Sequence, residues 1–398
     1  MPEAFLVGGA RTPVGRYGGA LSSVRPDDLA ALVVKEAVQR AGIPSEAVEE
    51  VILGNANGAG EENRNVARMA WLLAGFEDSV PGITVNRLCA SGMSAIIMAS
   101  HMIKAGAADI VVAGGVESMS RAPWVMAKPT TAFAKPGDAF NTSIGWRFVN
   151  PIFQAQEKTT YSMPETAEEV ARVDDISRED ADAFAAGSQE KALAAIAAGR
   201  FADEIVPVTV KTRKGETVVD TDEGPREGTT VEVLSKLRPV VKGGSVVTAG
   251  NASSLNDGAS AIVVASEAAI AKYGLTPRAR IADGASAGVP APIMGIGPVP
   301  ATHKVLDRTG WSLDDLGAVE LNEAFATQSL ACIRRLGLDP SIVNNDGGAI
   351  ALGHPLGSSG SRIAITLLGR MEREGADKGL ATMCVGVGQG TALLLERV

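Results

Sequence analysis

Two stretches of this chain, separated by more than half its length, pass through the same series of features. Ser45 to Asn55 reads SEAVEEVILGN and Ser312 to Asn322 reads SLDDLGAVELN; each opens on a helix-start signal and an acidic turn and ends as a strand on Asn. Cys89 follows Asn55 by 34 residues, and His354 follows Asn322 by 32. Each landmark opens a Gly/Ser turn and a helix, CASGMSAIIMASHMIKAG in one case and HPLGSSGSRIAITLLGRMEREG in the other. Each helix leads through Ala-Asp into a strand ending on glycine, ADIVVAGG and ADKGLATMCVGVG. Matches in the same order at similar spacing predict two copies of one α/β half-domain. A chain of 398 residues with 45% apolar content suits two moderate cores, since single cores stop growing near ~250–300 residues.

Short apolar runs such as AFLVGG, DIVVAGG and TALLLERV alternate with helical stretches such as Asp28 to Ala41, which argues for doubly covered strands. The 45 glycines and 4% aromatics fit close backbone packing in a layered α/β fold. The halves are read as 1–118 with a return at 246–268, and as 270–398. Residues 119–245 differ, being richer in Pro, Lys and Thr, with helices over Pro164 to Val173 and Arg178 to Ala198, and read as an excursion that covers the site. Within it Lys211, Arg213, Lys214, Arg226, Lys236, Arg238 and Lys242 are interleaved with acids. A solvated mixed-charge face and a local basic cluster for an anionic ligand both fit that run.

A net charge of −9 excludes a protein that coats nucleic acid or an acidic membrane surface. No run approaches the ~20 apolar residues of a membrane span, and the N-terminus lacks the pattern of a secretion signal, so a cytoplasmic protein is expected. Three cysteines, Cys89, Cys332 and Cys384, without a CxxC pair or Cys/His ligand spacing, suggest neither a disulfide frame nor a metal site. The glycines at 386, 388 and 390 do not make a dinucleotide fingerprint.

Cys89 stands immediately before a helix, where the positive end of the macrodipole lowers a thiol's pKa and favours the nucleophilic thiolate; the competing reading is a small buried hydrophobe. His354 is framed by glycines in GGAIALGHPLGSSG and is the positional counterpart of Cys89, so two-fold-related halves bring both to one crevice. It is the best general base among three histidines; His101 and His303 read as structural. Asn322 in NEAF reads as a cap for the helix that follows, and Cys384, in an apolar strand, reads as core.

Taken together, NRLCASGM, GGVESMS, TAGNASSLNDGA, LNEAF, GGAIALGHPLGSSG and CVGVGQG resemble the thiolase family, in order and over essentially the whole chain. The resemblance implies the thiolase fold: two βαβαβαββ halves in a five-layer α-β-α-β-α arrangement, with a loop domain inserted in the first and homodimers that pair into homotetramers. It implies acyl transfer between acyl-CoA and CoA, with coenzyme A as substrate and no metal or resident cofactor. Cys89 is then the acyl-accepting nucleophile, His354 its base and Cys384 the second acid/base, which overrides the core reading of that residue. One oxyanion hole falls to His354 with a water held by Asn322, the other to the backbone N–H groups of Cys89 and Gly386. Ser253 and Ala249 match positions along the pantetheine arm and Arg226 one near the adenine. Met163, Met294, Ala324 and Phe325 match positions around the thioester.

Thiolases that make acetoacetyl-CoA usually carry a histidine where this chain has Ser162, in SMPETAEE. That segment, with TSIGWRFVNP, looks most like the thiolases of aromatic catabolism that cleave 3-oxoadipyl-CoA (β-ketoadipyl-CoA), although Glu157 to Tyr161 departs from that pattern. Such an acyl chain ends in a carboxylate, for which Arg147 is the candidate cation. The alternative within the family is an acetoacetyl-CoA or broad-chain 3-ketoacyl-CoA thiolase. A decarboxylating ketoacyl synthase would need His or Asn where Cys384 stands, and a non-catalytic relative would lack one of the reactive residues.

Overall fold

The computed structural model describes residues 2–213 and 215–398, so Lys214 of the basic run lies outside the described residues. The chain opens with β1 (Ala4–Arg11), α1 (Pro26–Ala41), β2 (Glu50–Gly54), α2 (Val66–Leu73), β3 (Gly82–Val85), α3 (Ser91–Lys104) and β4 (Ile110–Ser118). It then leaves the sheet, forms the helices α4 (Met163–Val173) and α5 (Arg178–Ala197), and returns as β5 (Asn256–Ser266). A second series follows: β6 (Ala279–Gly288), α6 (Pro298–Thr309), β7 (Ala318–Leu321), α7 (Ala326–Leu336), α8 (Leu356–Glu374), β8 (Lys378–Val385) and β9 (Gln389–Arg397).

Strand pairing shows the repeat directly. In the first half β2 lies parallel to β3 and β4, and β5 runs antiparallel to β4 and β1. In the second, β7 is parallel to β8, while β9 is antiparallel to β8 and β6. Val343 bridges Val319 in parallel, where the first half has β3. The half-sheets meet where β1 pairs with β6 at Phe5 with Arg280 and Leu6 with Ala279.

Alternation along each strand sorts side chains into three cores. Ala259, Ala261, Val263 and Ala265 of β5 face α1 and α2, whereas Ile262 and Val264 face the molecule's centre. Likewise Ala392 and Leu394 of β9 pack toward α6 and α7, and Leu393 and Leu395 face inward. The inward faces share one core with α3 and α8, so the order of layers is α1/α2, half-sheet, α3/α8, half-sheet, α6/α7. Burial of most of its surface explains why α3 reads SGMSAIIMASHMIK, almost without charge. The central helices cross at glycines: a Cβ on Gly92 would lie 2.7 Å from the Gly357 carbonyl oxygen, and one on Gly360 would lie 2.3 Å from the Met93 nitrogen.

The excursion is tied to the frame by a buried ion cluster. Arg11 of β1 donates from Nε to Glu204 at 2.6 Å and from Nη1 to Asp222 at 2.7 Å. One sequence expectation is corrected here, the cap reading of Asn322. The helix-start signals at Ser45 and Ser312 open single 3-10 turns, Ser45–Ala47 and Leu313–Asp315, and the apolar residues that follow enter β2 and β7, the turn-then-strand order that the repeat anticipates. Asn322 caps nothing: α7 begins at Ala326, with Phe325 at its cap position and no side-chain cap bond. The return to the first half reaches the sheet at Asn256, where β5 begins; before it Thr248, Ala249 and Ala252 to Leu255 run along a cavity.

Candidate active site

The segment that leads into α3 and the start of α8 open on one cavity of about 500 Å³. Cys89, His354, Cys384, Gly386, Ser253, Ala249, Met163, Met294, Ala324, Phe325 and Arg147 all line it. Two of the expected residues do not. Arg226 is exposed and engages through its backbone, its N–H donating to Gln189 and its carbonyl accepting from Thr229, and the other described members of the basic run are exposed as well. Asn322 lies behind the wall, almost fully buried, and neither polar atom of its side chain has a partner among the described residues.

Cys89 sits in the 3-10 turn Leu88–Ala90, ahead of α3, where Leu88 adopts a φ of 47°. Burial pushes its thiol up to about 11, against the pull of the Gly386 and Cys89 backbone N–H groups. The expected lowering of the thiol pKa at a helix start is therefore corrected: α3 begins only at Ser91, and desolvation raises the Cys89 pKa instead. Cys89 rests as a thiol and needs a base in order to attack.

His354 is built to be that base. Its N–H bonds to Asn256 Oδ1 at 2.9 Å, and its Nδ1 lies 2.6 Å from Ser359 Oγ. Because the single proton of Ser359 goes to the Pro355 carbonyl at 3.0 Å, the Ser359 oxygen accepts from Nδ1–H. That tautomer leaves Nε2 with its lone pair free, and Nε2 has no partner among the described residues. Burial, helped by the positive charge of Arg362, lowers the imidazole pKa to about 3, so the ring is neutral at physiological pH.

Cys384 ends β8 inside a small apolar cluster with Ala167, Val247, Met294, Ala324 and Phe325, yet its surface faces the cavity. Burial first, then the neighbouring Cys89, holds its pKa well above the ordinary value. It is a resting proton donor. Gly386 follows in the tight turn between β8 and β9, and its N–H points at the Cys89 sulfur.

Several residues at the site were not singled out from sequence. Ser359 and Asn256 orient His354, as above. Glu117, in the GGVESMS motif, accepts from the N–H of Ala56 and of Gly357, each at 2.9 Å, and so clamps the first turn of α8 to the other half. Asn57, Met119, Trp146, Val240 and Val387 add to the wall. The motif around Glu117 was a readable signal; the wall residues come from loops whose approach only the tertiary path determines.

Comparison with known families decides the assignment. A thiolase N-terminal domain matches residues 4–268 and a thiolase C-terminal domain matches residues 275–397. The chain belongs to the thiolase family. The seam between the two matched domains falls between β5 and β6, where the repeat places it. Beta-ketoadipyl-CoA thiolase of Pseudomonas aeruginosa is 56% identical, covering 100% of this chain and 99% of that protein. The 3-oxoadipyl-CoA/3-oxo-5,6-dehydrosuberyl-CoA thiolase of Escherichia coli K12 is 55% identical over the full length of both. Among solved structures, the acetyl-CoA acetyltransferase of Bacillus anthracis superposes with a TM-score of 0.93 at 42% identity, covering 100% of this chain and 99% of that one. This thiolase is thus an acyltransferase with the five-layer fold of its family.

Proposed function

We propose that this thiolase cleaves 3-oxoadipyl-CoA with coenzyme A, giving acetyl-CoA and succinyl-CoA through an acyl-enzyme on Cys89. The observation that carries the reading is the meeting, at one cavity, of a protonated Cys89, a neutral His354 with a free Nε2 and a protonated Cys384. His354 Nε2 takes the Cys89 proton as sulfur attacks C3 of the substrate. The oxyanion formed at C3 lies against the N–H groups of Cys89 and Gly386, a task for which one donor is typically worth about 3 kcal/mol. The C2–C3 bond then breaks; its electron pair stays on C2, which takes the proton of Cys384. During that step the negative charge on the departing acetyl-CoA oxygen is held by the Nε2–H of His354 and a water carried by Asn322, whose unpaired side chain supports the assignment. In the second half the CoA thiol gives its proton to the Cys384 thiolate and attacks the thioester, and His354 returns its proton to Cys89.

Coenzyme A enters this scheme as a substrate, lying along Ala249 and Ser253, with Arg226 toward its adenine end. No resident cofactor or metal is required, because the two cysteines and the histidine supply every proton transfer. The dicarboxylic acyl chain is supported by the relatives named for it and by Ser162, whose hydroxyl is tied into a capping box with Glu165 at the cavity wall. A cytoplasmic homotetramer built from homodimers completes the proposal. Its support is that the excursion exposes several large apolar side chains, Trp124, Met126, Phe133 and Ile152 among them, which association would cover.

The test is cleavage by coenzyme A of 3-oxoadipyl-CoA, acetoacetyl-CoA and a medium-chain 3-oxoacyl-CoA in parallel, with Cys89→Ala as control. Preference for 3-oxoadipyl-CoA is expected. Equal or better rates on the neutral chains would make this a general 3-ketoacyl-CoA thiolase.

A further inference from the structure

The cavity has an unusual distribution of charge. Its wall is mainly apolar or small and neutral, from Ala56, Leu88 and Met119 to Met294, Phe325 and Val387. His354 is neutral for the reasons given, and both cysteines rest as thiols. Arg147 is the one lining residue with a formal charge among those described. It is half-buried, and among the described residues it has no hydrogen-bond or ion-pair partner. A half-buried arginine on the wall of a largely apolar cavity, with no protein counter-ion among the described residues, is available to pair with an anion that a ligand brings.

The backbone around Arg147 is built rather than loose. Thr142 donates to the Pro123 carbonyl and accepts from Asn57, and Ser143 donates to the Met119 carbonyl at 2.7 Å. Trp146 donates from its ring nitrogen to the Tyr161 carbonyl at 3.1 Å, and Phe148 packs edge-on against Phe140 at 5.4 Å. Arg147 lies between two left-handed residues, Gly145 at φ 82° and Phe148 at φ 51°. For phenylalanine that conformation is strained, and the flanking contacts must offset it.

We propose that Arg147 is the specificity residue of this thiolase and binds the terminal carboxylate of a dicarboxylic 3-oxoacyl chain. This deepens the proposed function and rests on it. When C3 of 3-oxoadipyl-CoA is bonded to Cys89, the carboxylate is only three carbons further along the chain. It must therefore lie inside the same cavity, where Arg147 is the available cation. A planar guanidinium takes a carboxylate by two parallel hydrogen bonds, which a neutral acyl chain of equal length cannot accept. Arg147 fixes the chain and takes no part in proton transfer.

Steady-state kinetics of Arg147→Ala, Arg147→Gln and Arg147→Lys on 3-oxoadipyl-CoA and on acetoacetyl-CoA test this, with melting temperatures as a check on folding. For Ala and Gln, kcat/KM on 3-oxoadipyl-CoA is expected to fall by ~100-fold, that on acetoacetyl-CoA to stay within about threefold, and Lys to recover part of the loss. Equal losses on both substrates would overturn the proposal and place Arg147 on the coenzyme A moiety that they share. Unchanged discrimination would overturn it too. Wild-type protein that cleaves neither compound would instead remove the thiolase reading itself, an outcome visible before any variant is made.

Discussion

The two halves of this thiolase share a frame and differ in one connection. In the C-terminal half β8 passes to β9 through residues 386–388, whereas in the N-terminal half the equivalent strands β4 and β5 are joined by residues 119–255. The short connection delivers a backbone N–H beside the Cys89 sulfur; the long one delivers Arg147, Met163, Ala249 and Ser253 to the cavity wall. Groups proposed to react thus come from the repeated frame, held by packed central helices, and groups proposed to select come from the expanded connection. This division separates substitutions that abolish chemistry from those that redirect it.

If that division holds, the largest expected effect belongs to the frame. Asn322→Ala should lower kcat by about 10²–10³, in line with loss of an oxyanion-hole group, with no loss of melting temperature because the removed atoms had no protein partner. Parallel loss of stability and activity would mean that Asn322 serves packing instead.

Glu117 should give the next effect, on stability rather than rate. Burial, above all, raises its carboxyl from 4.5 to about 7. The native state therefore keeps a proton that the unfolded chain releases between these values, and it loses stability as pH rises through that window. Glu117→Gln has no such proton to lose. Its stability relative to wild type should improve by up to on the order of 3 kcal/mol between pH 4.5 and pH 8. Denaturant melts at both pH values check this, and a difference independent of pH would refute it.

The smallest effects compare glycines of the two regions. Gly360→Ala, whose Cβ would meet the Met93 backbone, should cost about 1–3 kcal/mol or more. Gly187→Ala, in α5 of the excursion with open space at its Cβ, should add roughly 0.5–1 kcal/mol. Equal signs for the two would show that the central crossing is not the tight joint described.

Much of the frame was legible because a repeat reports topology without knowledge of packing: the Asn-to-Cys and Asn-to-His spacings anticipated equivalent strands and a shared crevice for Cys89 and His354. Cys384 was hidden for a physical reason. It is a core residue by every local measure, and only the fold turns its surface to the cavity. The thiol pKa at Cys89 went the other way from the helix-start argument because desolvation is a property of the assembled cavity, which sequence does not display. Trp146 was missed for a related reason, since the route of the excursion over the site depends on contacts such as Arg11 with Glu204, and Asn57 because it stands in the loop after β2 without a motif of its own.

Intact-mass spectrometry after brief exposure to 3-oxoadipyl-CoA without free coenzyme A tests the central claim most directly. The account predicts a wild-type adduct with the mass of a succinyl group, located on Cys89, discharged when coenzyme A is added, and absent from Cys89→Ser. Turnover that proceeds equally well in Cys89→Ser, or an adduct located on another residue, would contradict it.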